Sequence, residues 1–549
     1  MDSVTNAYRG KVALSVILIA ITLVLCRLAV LWPVFDEKYV GTYQVAGNPT
    51  NDAGDWIEGS QYILEGRKTQ RRPLFSAFMA IFVFFFGVNT RWLAAAIIGL
   101  NVLAILSVFY ILKDIKNSVF VVILISFFAA WRLFFLGFML TENMASPLLM
   151  VGFALVIKAL FTASLGPIFL GYFIIGLAEA TRPWDFMILA TLPLFFFFYY
   201  RKLNKKTVTL ALGLVLSIFL GFSLSTMASR AFSSSQGSTL DLAQRFYGQV
   251  HGGGSKFWIT QSDLKRACLT LPAKKAARVF FEKSFADAAS DPGMVFVSIA
   301  RAGWLYLKLL HLAFSANFYP LCFFVTLPFV GFAAVWPVLS GIPKLRYFRD
   351  NLKTVLVAPL FRKKLLYSVA AILLYAYRPT FLWMTFSAIG FFILFLHSYR
   401  RYKIFVFLYL CGIVSSLMML GVGSYERLWM SSELLLYCLA ALGITSVFIK
   451  RPKTSERRGA EEFKLTTRAI RHLFLAWFTA ILILIALPMC LAALKKRSGK
   501  DIAAPVSPVY IASRFGIREK IIPPKLINTY AVMWPEIDFD KIDGSIAYF

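Results

Sequence analysis

Cysteine and histidine are scarce, with six and four copies in 549 residues. Five of the cysteines (Cys26, Cys322, Cys411, Cys438, Cys490) fall in or beside apolar runs, and only Cys268 lies in a hydrophilic loop. That excludes a disulfide framework, and no cysteine–histidine spacing suits zinc. Acidic residues are thin as well, 28 against 58 lysines and arginines. The formal charge of +30 resembles that of a nucleic-acid binder, but its distribution does not. The basic residues crowd short loops between apolar runs: Arg201 to Lys206, Lys344 to Lys364, Arg400 to Lys403 and Lys450 to Arg471. Such clusters set membrane topology, so no nucleic-acid partner is expected. The glycine run His251-Gly252-Gly253-Gly254-Ser255 lacks the following lysine of a phosphate-binding loop and reads as a flexible loop. The first apolar run lacks a small-residue cleavage site and reads as a retained helix.

Long hydrophobic runs are abundant. The chain is 59% hydrophobic with a mean hydropathy of +0.69, which places it among polytopic membrane proteins. The expected spans are Val12–Val34, Arg91–Leu112, Ser118–Phe138, Asn143–Leu160, Gly166–Thr181, Trp184–Tyr200, Thr207–Thr226, Phe318–Leu339, Leu365–Tyr377, Thr380–Leu396, Ile404–Val422, Leu428–Ile449 and Leu473–Leu494. The fold class is thus an all-α bundle of about thirteen membrane helices. One apolar segment, Leu74 to Gly87, is short. If it spanned, the four basic clusters would fall outside; unspanned, they face the cytoplasm, so it is expected to lie on or dip into the outer surface. The transmembrane domain then covers 1–494, with a first outer loop at 35–90 and a large outer loop at 227–317. A tail or small domain on the outer side takes up 495–549.

With this topology, acids and arginines from distant parts of the chain collect on the outer face. Asn51 or Asp52 can cap a helix that ends at Gly66, with Trp56, Ile57, Ile63 and Leu64 on one apolar face. Asp52 and Asp55 share a face. A carboxylate there can take a proton from an attacking hydroxyl, or it can serve only as a cap in the first turn. Arg71 and Arg72, entering the next helix, suit phosphate oxygens or lipid headgroups. Glu142 stands at an outer junction between spans, where an acid needs water or a partner. Arg182 and Arg427 lie at outer span ends and can clamp a phosphate or pair with Glu142, Asp185 or Glu426. Arg132 lies within a span and needs a partner or a wet cavity. Asp291-Pro292-Gly293 reads as a turn before an apolar, partly amphipathic helix, Met294 to Phe314.

In this order, these elements resemble the lipid-dependent glycosyltransferases of the GT-C class, nearest the protein O-mannosyltransferase and aminoarabinose transferase branch. Asp52-Ala53-Gly54-Asp55-Trp56 through Tyr62-Ile63-Leu64-Glu65-Gly66 resembles the family's first-loop motif. Arg72-Pro73-Leu74 is similar to its basic-Pro-Pro-Leu motif, with Leu74 in place of the second proline. Leu140-Thr141-Glu142-Asn143-Met144 resembles its acidic start to the fourth span. Thr181-Arg182-Pro183 and Tyr425-Glu426-Arg427-Leu428 resemble two later arginine segments. The resemblance runs to about Ile449 and does not cover the 227–317 loop or the tail.

The resemblance implies a polyprenyl-phosphate-linked sugar as donor and an acceptor outside the cytoplasm: a glycan, lipopolysaccharide or a protein. It implies Asp52 as base, or as the group that orients the acceptor, in an inverting displacement, with Glu142 in support near the sugar. Arg72, Arg182 and Arg427 are the candidates to hold the departing phosphate, though not all of them need do so, and Asp55, Trp56, Tyr62 and Arg71 contact substrate. No cofactor is expected, although Asp52, Asp55 and Glu142 are oxygen donors of the kind that suits magnesium or manganese. The expected location is a bacterial inner membrane, with the endoplasmic reticulum as the alternative. Three other readings compete. A transporter of lipid-linked sugars would need a pathway, yet few ionisable residues sit in mid-span and no two-fold repeat of broken helices is evident. An O-antigen ligase or polymerase carries its catalytic residues in a late outer loop, whereas the carboxylates here cluster in the first. A non-catalytic relative would keep the fold without the chemistry.

Overall fold

The computed structural model describes residues 13, 15–25, 51–69, 72–87, 90–113, 118–132, 141–162, 165–182, 205–233, 243, 246–248, 250, 271, 273–298, 300, 387–390, 392–393, 430–448 and 467–499. Among them the structure is helical, and the only bridge between extended segments is the isolated pair Thr69 and Ser233. Four helices are long and apolar enough to cross a membrane: Trp92–Leu112, Glu142–Ala159, Val208–Phe232 and Ile470–Ser498. Helices are the natural solution for such runs, because a bilayer core supplies no water to satisfy the backbone.

In chain order, α1 is Ser15–Leu25, α2 Asn51–Leu64 and α3 Pro73–Phe86. Then come α4 Thr90–Leu112, α5 Ser118–Arg132, α6 Glu142–Thr162, α7 Leu165–Thr181 and α8 Lys205–Phe232. They are followed by α9 Ala273–Ser290 and α10 Met430–Phe448. A final rod joins α11, Thr467–Ile481, to α12, Leu487–Ser498, through a π-helical turn, Leu482–Ala486. The expected spans Trp184–Tyr200, Phe318–Leu339, Leu365–Tyr377 and Ile404–Val422 lie outside the described residues.

Helix α7 is the hub, packed between α6 and α8 and touched by α11. Glycine sets both close approaches. A Cβ on Gly171 would stand 2.9 Å from the Gly152 carbonyl oxygen of α6, and one on Gly221 of α8 would stand 2.8 Å from backbone atoms of Gly176 and Phe173. Without a strong hydrophobic drive between helices in lipid, such small-residue contacts let backbones meet and gain dispersion. The pairs also fix direction. Gly152 meets Gly171 and Ile175, so α6 and α7 are antiparallel, whereas Gly213 meets Phe169 and Gly221 meets Gly176, so α7 and α8 are parallel.

The ends of α7, α8 and α12 gather on one side. There α2 and α3 form a layer, with Trp56 edge-on to Phe75 at 5.9 Å and Ser76 Oγ donating to the Trp56 carbonyl at 3.2 Å. Helix α2 closes as its sequence indicates. Gly66 is left-handed (φ +70); its N–H donates to Ile63 O at 3.1 Å, and Arg67 N–H to Tyr62 O at 2.7 Å. This Schellman pattern needs a residue without a Cβ penalty. The following turn is tied to α8, since Thr69 N–H satisfies the terminal Phe232 carbonyl at 2.7 Å. Lys495 of α12 reaches Glu65 at 3.7 Å.

At 14 residues α3 is too short for a hydrocarbon core of about 30 Å. It packs along α8, the π turn and α12. The π turn has a local cause: Pro488 carries no N–H, its ring would clash with a carbonyl one turn back, and the wider turn relieves the crowding. The Leu487 N–H bonds to Leu482 O, five residues back. The rod runs on past the expected end at Leu494 and stops at Gly499 (φ +60).

Candidate functional site at one end of the helix bundle

Glu142 begins α6 and Arg182 directly follows α7, so the antiparallel pairing brings them together. Arg182 Nη2 lies 3.0 Å from Glu142 Oε1, with 15% and 4% of the two side chains exposed. Arg182 Nη1 donates to Thr141 Oγ1 at 2.7 Å, and that hydroxyl donates to Glu142 Oε2 at 3.2 Å. In this cluster the contacts to Glu142 and Thr141 hold the guanidinium fork in one orientation. Pairing lets two charges persist where little water reaches. The site is recessed. Gly221 sits against Leu177, so Arg182 is level with about Thr226, and α8 rises about 9 Å further to Phe232.

Two further buried polar groups lie on the helices that carry or brace this cluster, and the sequence reading did not single them out. Glu179 of α7 is buried, three residues before Arg182 and on its face. It is the only acid between Leu165 and Thr181, and an ionisable residue in such a run is itself a functional signal. Asn101 of α4 is buried and donates through Nδ2 to the Asn143 carbonyl at 3.2 Å and to Ile97 O at 2.9 Å. It therefore braces the first turn of α6, from which Glu142 projects.

The remaining expected residues separate into distinct groups. Asp52 and Asp55 have their backbone in the first turn of α2, at an helix N-terminus where carboxylates are favoured; their side chains lie outside the described residues. Arg72 has extended backbone (φ −59, ψ 126) before Pro73, as a residue preceding proline must. Arg71 and Arg427 lie outside the described residues, and so does the Arg132 side chain.

Trp56, expected at the substrate, is buried in the core; its ring is packing between α2 and α3. Tyr62 donates its hydroxyl to Glu58, and the Arg67 guanidinium lies 4.0 Å from its ring centroid. The bond to Glu58, followed by burial, holds the Tyr62 phenol above its ordinary 10.0. What stability that bond contributes is present below pH 10 and is lost only as pH rises through the raised value, so Tyr62 stays protonated near neutrality and is no base there. Among the described residues no three histidine, cysteine or acidic side chains converge to hold a metal. No protein-family model, curated protein or solved structure matches the chain.

Proposed function

We propose that this protein is an integral membrane glycosyltransferase of GT-C type, a bundle of about thirteen spans in a bacterial inner membrane. It moves a sugar from a polyprenyl-phosphate donor to an acceptor on the face away from the cytoplasm. The observation that carries the reading is the recessed Glu142–Thr141–Arg182 cluster. It stands at the same end of the bundle as the layer whose helix α2 carries Asp52 as its second residue. A preoriented guanidinium at that depth suits the phosphate of a lipid-borne donor whose tail stays in the bilayer.

The step is a single displacement at the anomeric carbon. The acceptor oxygen forms the new bond as its proton passes to Asp52, and the bond from the anomeric carbon to the phosphate oxygen breaks with its electron pair leaving on polyprenyl phosphate. Negative charge grows on that oxygen, and fixed donors stabilise it most in the transition state. Arg182 supplies such donors, and Glu142 acts as a positioning residue that orients it; Arg72 and Arg427 are further phosphate arms.

The test is to purify wild type and Asp52→Asn and identify the bound lipids by mass spectrometry. We expect sugar-loaded polyprenyl phosphate on the variant and the sugar-free carrier, or none, on wild type. Identical lipids on both would remove Asp52 from the chemistry and favour transport or a non-catalytic role.

A further inference from the structure

Helix α6 carries a proline near its start, Pro147, inside the stretch Glu142–Ala159 that is long and apolar enough to cross a membrane. Proline has no N–H, and its ring crowds the carbonyl four residues earlier. That carbonyl belongs to Asn143, which loses the hydrogen that residue 147 would ordinarily give it. A bilayer core offers no water in exchange, so a carbonyl freed in this way takes its donor from a neighbouring element. Asn101 of α4 is such a donor: its Nδ2 reaches Asn143 O at 3.2 Å.

The same Nδ2 donates to Ile97 O at 2.9 Å, one turn back on its own helix. Turning the amide over would set Oδ1 against both carbonyls, so its orientation is fixed. Asn101 is 1% exposed, and its Oδ1 meets no donor among the described residues. A buried acceptor left unmade costs stability. The two bonds from Nδ2 are therefore what this side chain contributes.

The bond bears on the site because the turn before Pro147 is the one that carries Glu142. Thr141 O accepts the N–H groups of Met144 and Ala145 at 3.1 and 2.9 Å, and Ser146 Oγ donates to Glu142 O at 2.6 Å. The turn is closed on itself, while its link to the rest of α6 lacks the bond to residue 147. Two contacts hold it from outside. Asn101 takes the Asn143 carbonyl from α4, and Arg182, following α7, takes the Glu142 carboxylate at 3.0 Å.

We infer that Asn101 is a positioning residue: it replaces the hydrogen bond that Pro147 removes and so fixes the turn that aims Glu142 at Arg182. Its consequence for catalysis rests on the glycosyltransferase reading; its consequence for the Glu142–Arg182 pair does not.

The experiment is a double-mutant cycle on the full-length protein in detergent, with Asn101→Leu, Pro147→Ala and the two combined. Pro147→Ala restores the N–H at position 147, so the Asn143 carbonyl no longer depends on Asn101. Two readouts need no substrate. One is the midpoint of thermal unfolding. The other is the rate at which phenylglyoxal, an arginine-selective reagent, modifies Arg182, followed by mass spectrometry of the peptide that contains it. Asn101→Leu should lower the midpoint and speed the labelling of Arg182 several-fold, as the freed turn draws Glu142 away. The combined variant should match Pro147→Ala in both. Unchanged Arg182 labelling in Asn101→Leu would overturn the inference. So would a combined variant that falls as far below Pro147→Ala as Asn101→Leu falls below wild type. If Asn101→Leu alone does not fold, the comparison of Pro147→Ala with the combined variant decides: equality upholds the brace, and a further loss overturns it. Transfer from lipid-linked donor, assayed separately, should fall with the faster labelling. Its absence from wild type would sink the glycosyltransferase reading and leave the labelling result standing.

Discussion

Replacing Glu142 by glutamine is expected to unfold this end of the bundle and abolish transfer together. The carboxylate is buried and meets Arg182 at 3.0 Å, so its loss takes from the guanidinium the countercharge that lies in direct contact with it. Breaking a buried pair from one side costs about 3–5 kcal/mol, more than the pair itself contributes, because the stranded charge keeps its desolvation penalty. The thermal midpoint in detergent should fall sharply for Glu142→Gln and for Arg182→Met. The double variant Glu142→Leu/Arg182→Met separates fold from chemistry. Well-packed apolar residues can replace a buried pair at little cost, so much of the lost midpoint should return, while sugar transfer, measured as consumption of lipid-linked donor, should not. If the double variant transfers at the wild-type rate, the pair is structural and Arg182 holds no phosphate.

The second large effect is expected at the α7–α8 contact, with a built-in control. A methyl on Gly221 would stand 2.8 Å from backbone atoms of α7, whereas one on Gly99 of α4 meets nothing within 4 Å. Gly221→Ala should cost about 1–3 kcal/mol by forcing the helices apart, and Gly221→Leu should not accumulate as folded protein. Gly99→Ala should be neutral or stabilising by up to about 1 kcal/mol, since alanine loses less backbone entropy in a helix. The readout is the midpoint of thermal unfolding. Equal shifts for Gly221→Ala and Gly99→Ala would mean that close backbone approach does not hold α7 and α8 together. The contact also bears on the site. Gly221 lies beside Leu177, a little over one turn before Arg182, so wedging α7 away displaces the guanidinium, and a displacement of about 1 Å near a reacting centre can cost about a hundredfold in rate.

Elements were more legible than partnerships. Hydropathy placed α4, α6, α7 and α8 close to their observed positions because lipid demands internally satisfied helices, a constraint that acts residue by residue along the chain. Charge kept α3 from being read as a crossing, and at 14 residues it is too short to be one. Gly66 marked the end of α2 because the required backbone conformation is local. Trp56 shows what was not legible: whether a ring faces a neighbouring helix depends on what packs against it, here Phe75.

The sequence by itself determined that the protein is helical, with helices apolar enough to cross a membrane, and where its apolar helices α4, α6, α7 and α8 run, but not α9, since propensity, apolar length and loop charge are properties of short stretches. Only the tertiary structure decided that Arg182 pairs with Glu142, one of three acids the sequence left open, because antiparallel packing of α6 and α7 carries those two ends to 3.0 Å. It also decided that Glu179 and Asn101 are buried, and that Asn101 braces the first turn of α6 through the Asn143 carbonyl. Each of these depends on which neighbour covers a side chain, and that is settled by helix direction and glycine-set spacing between segments far apart in the chain.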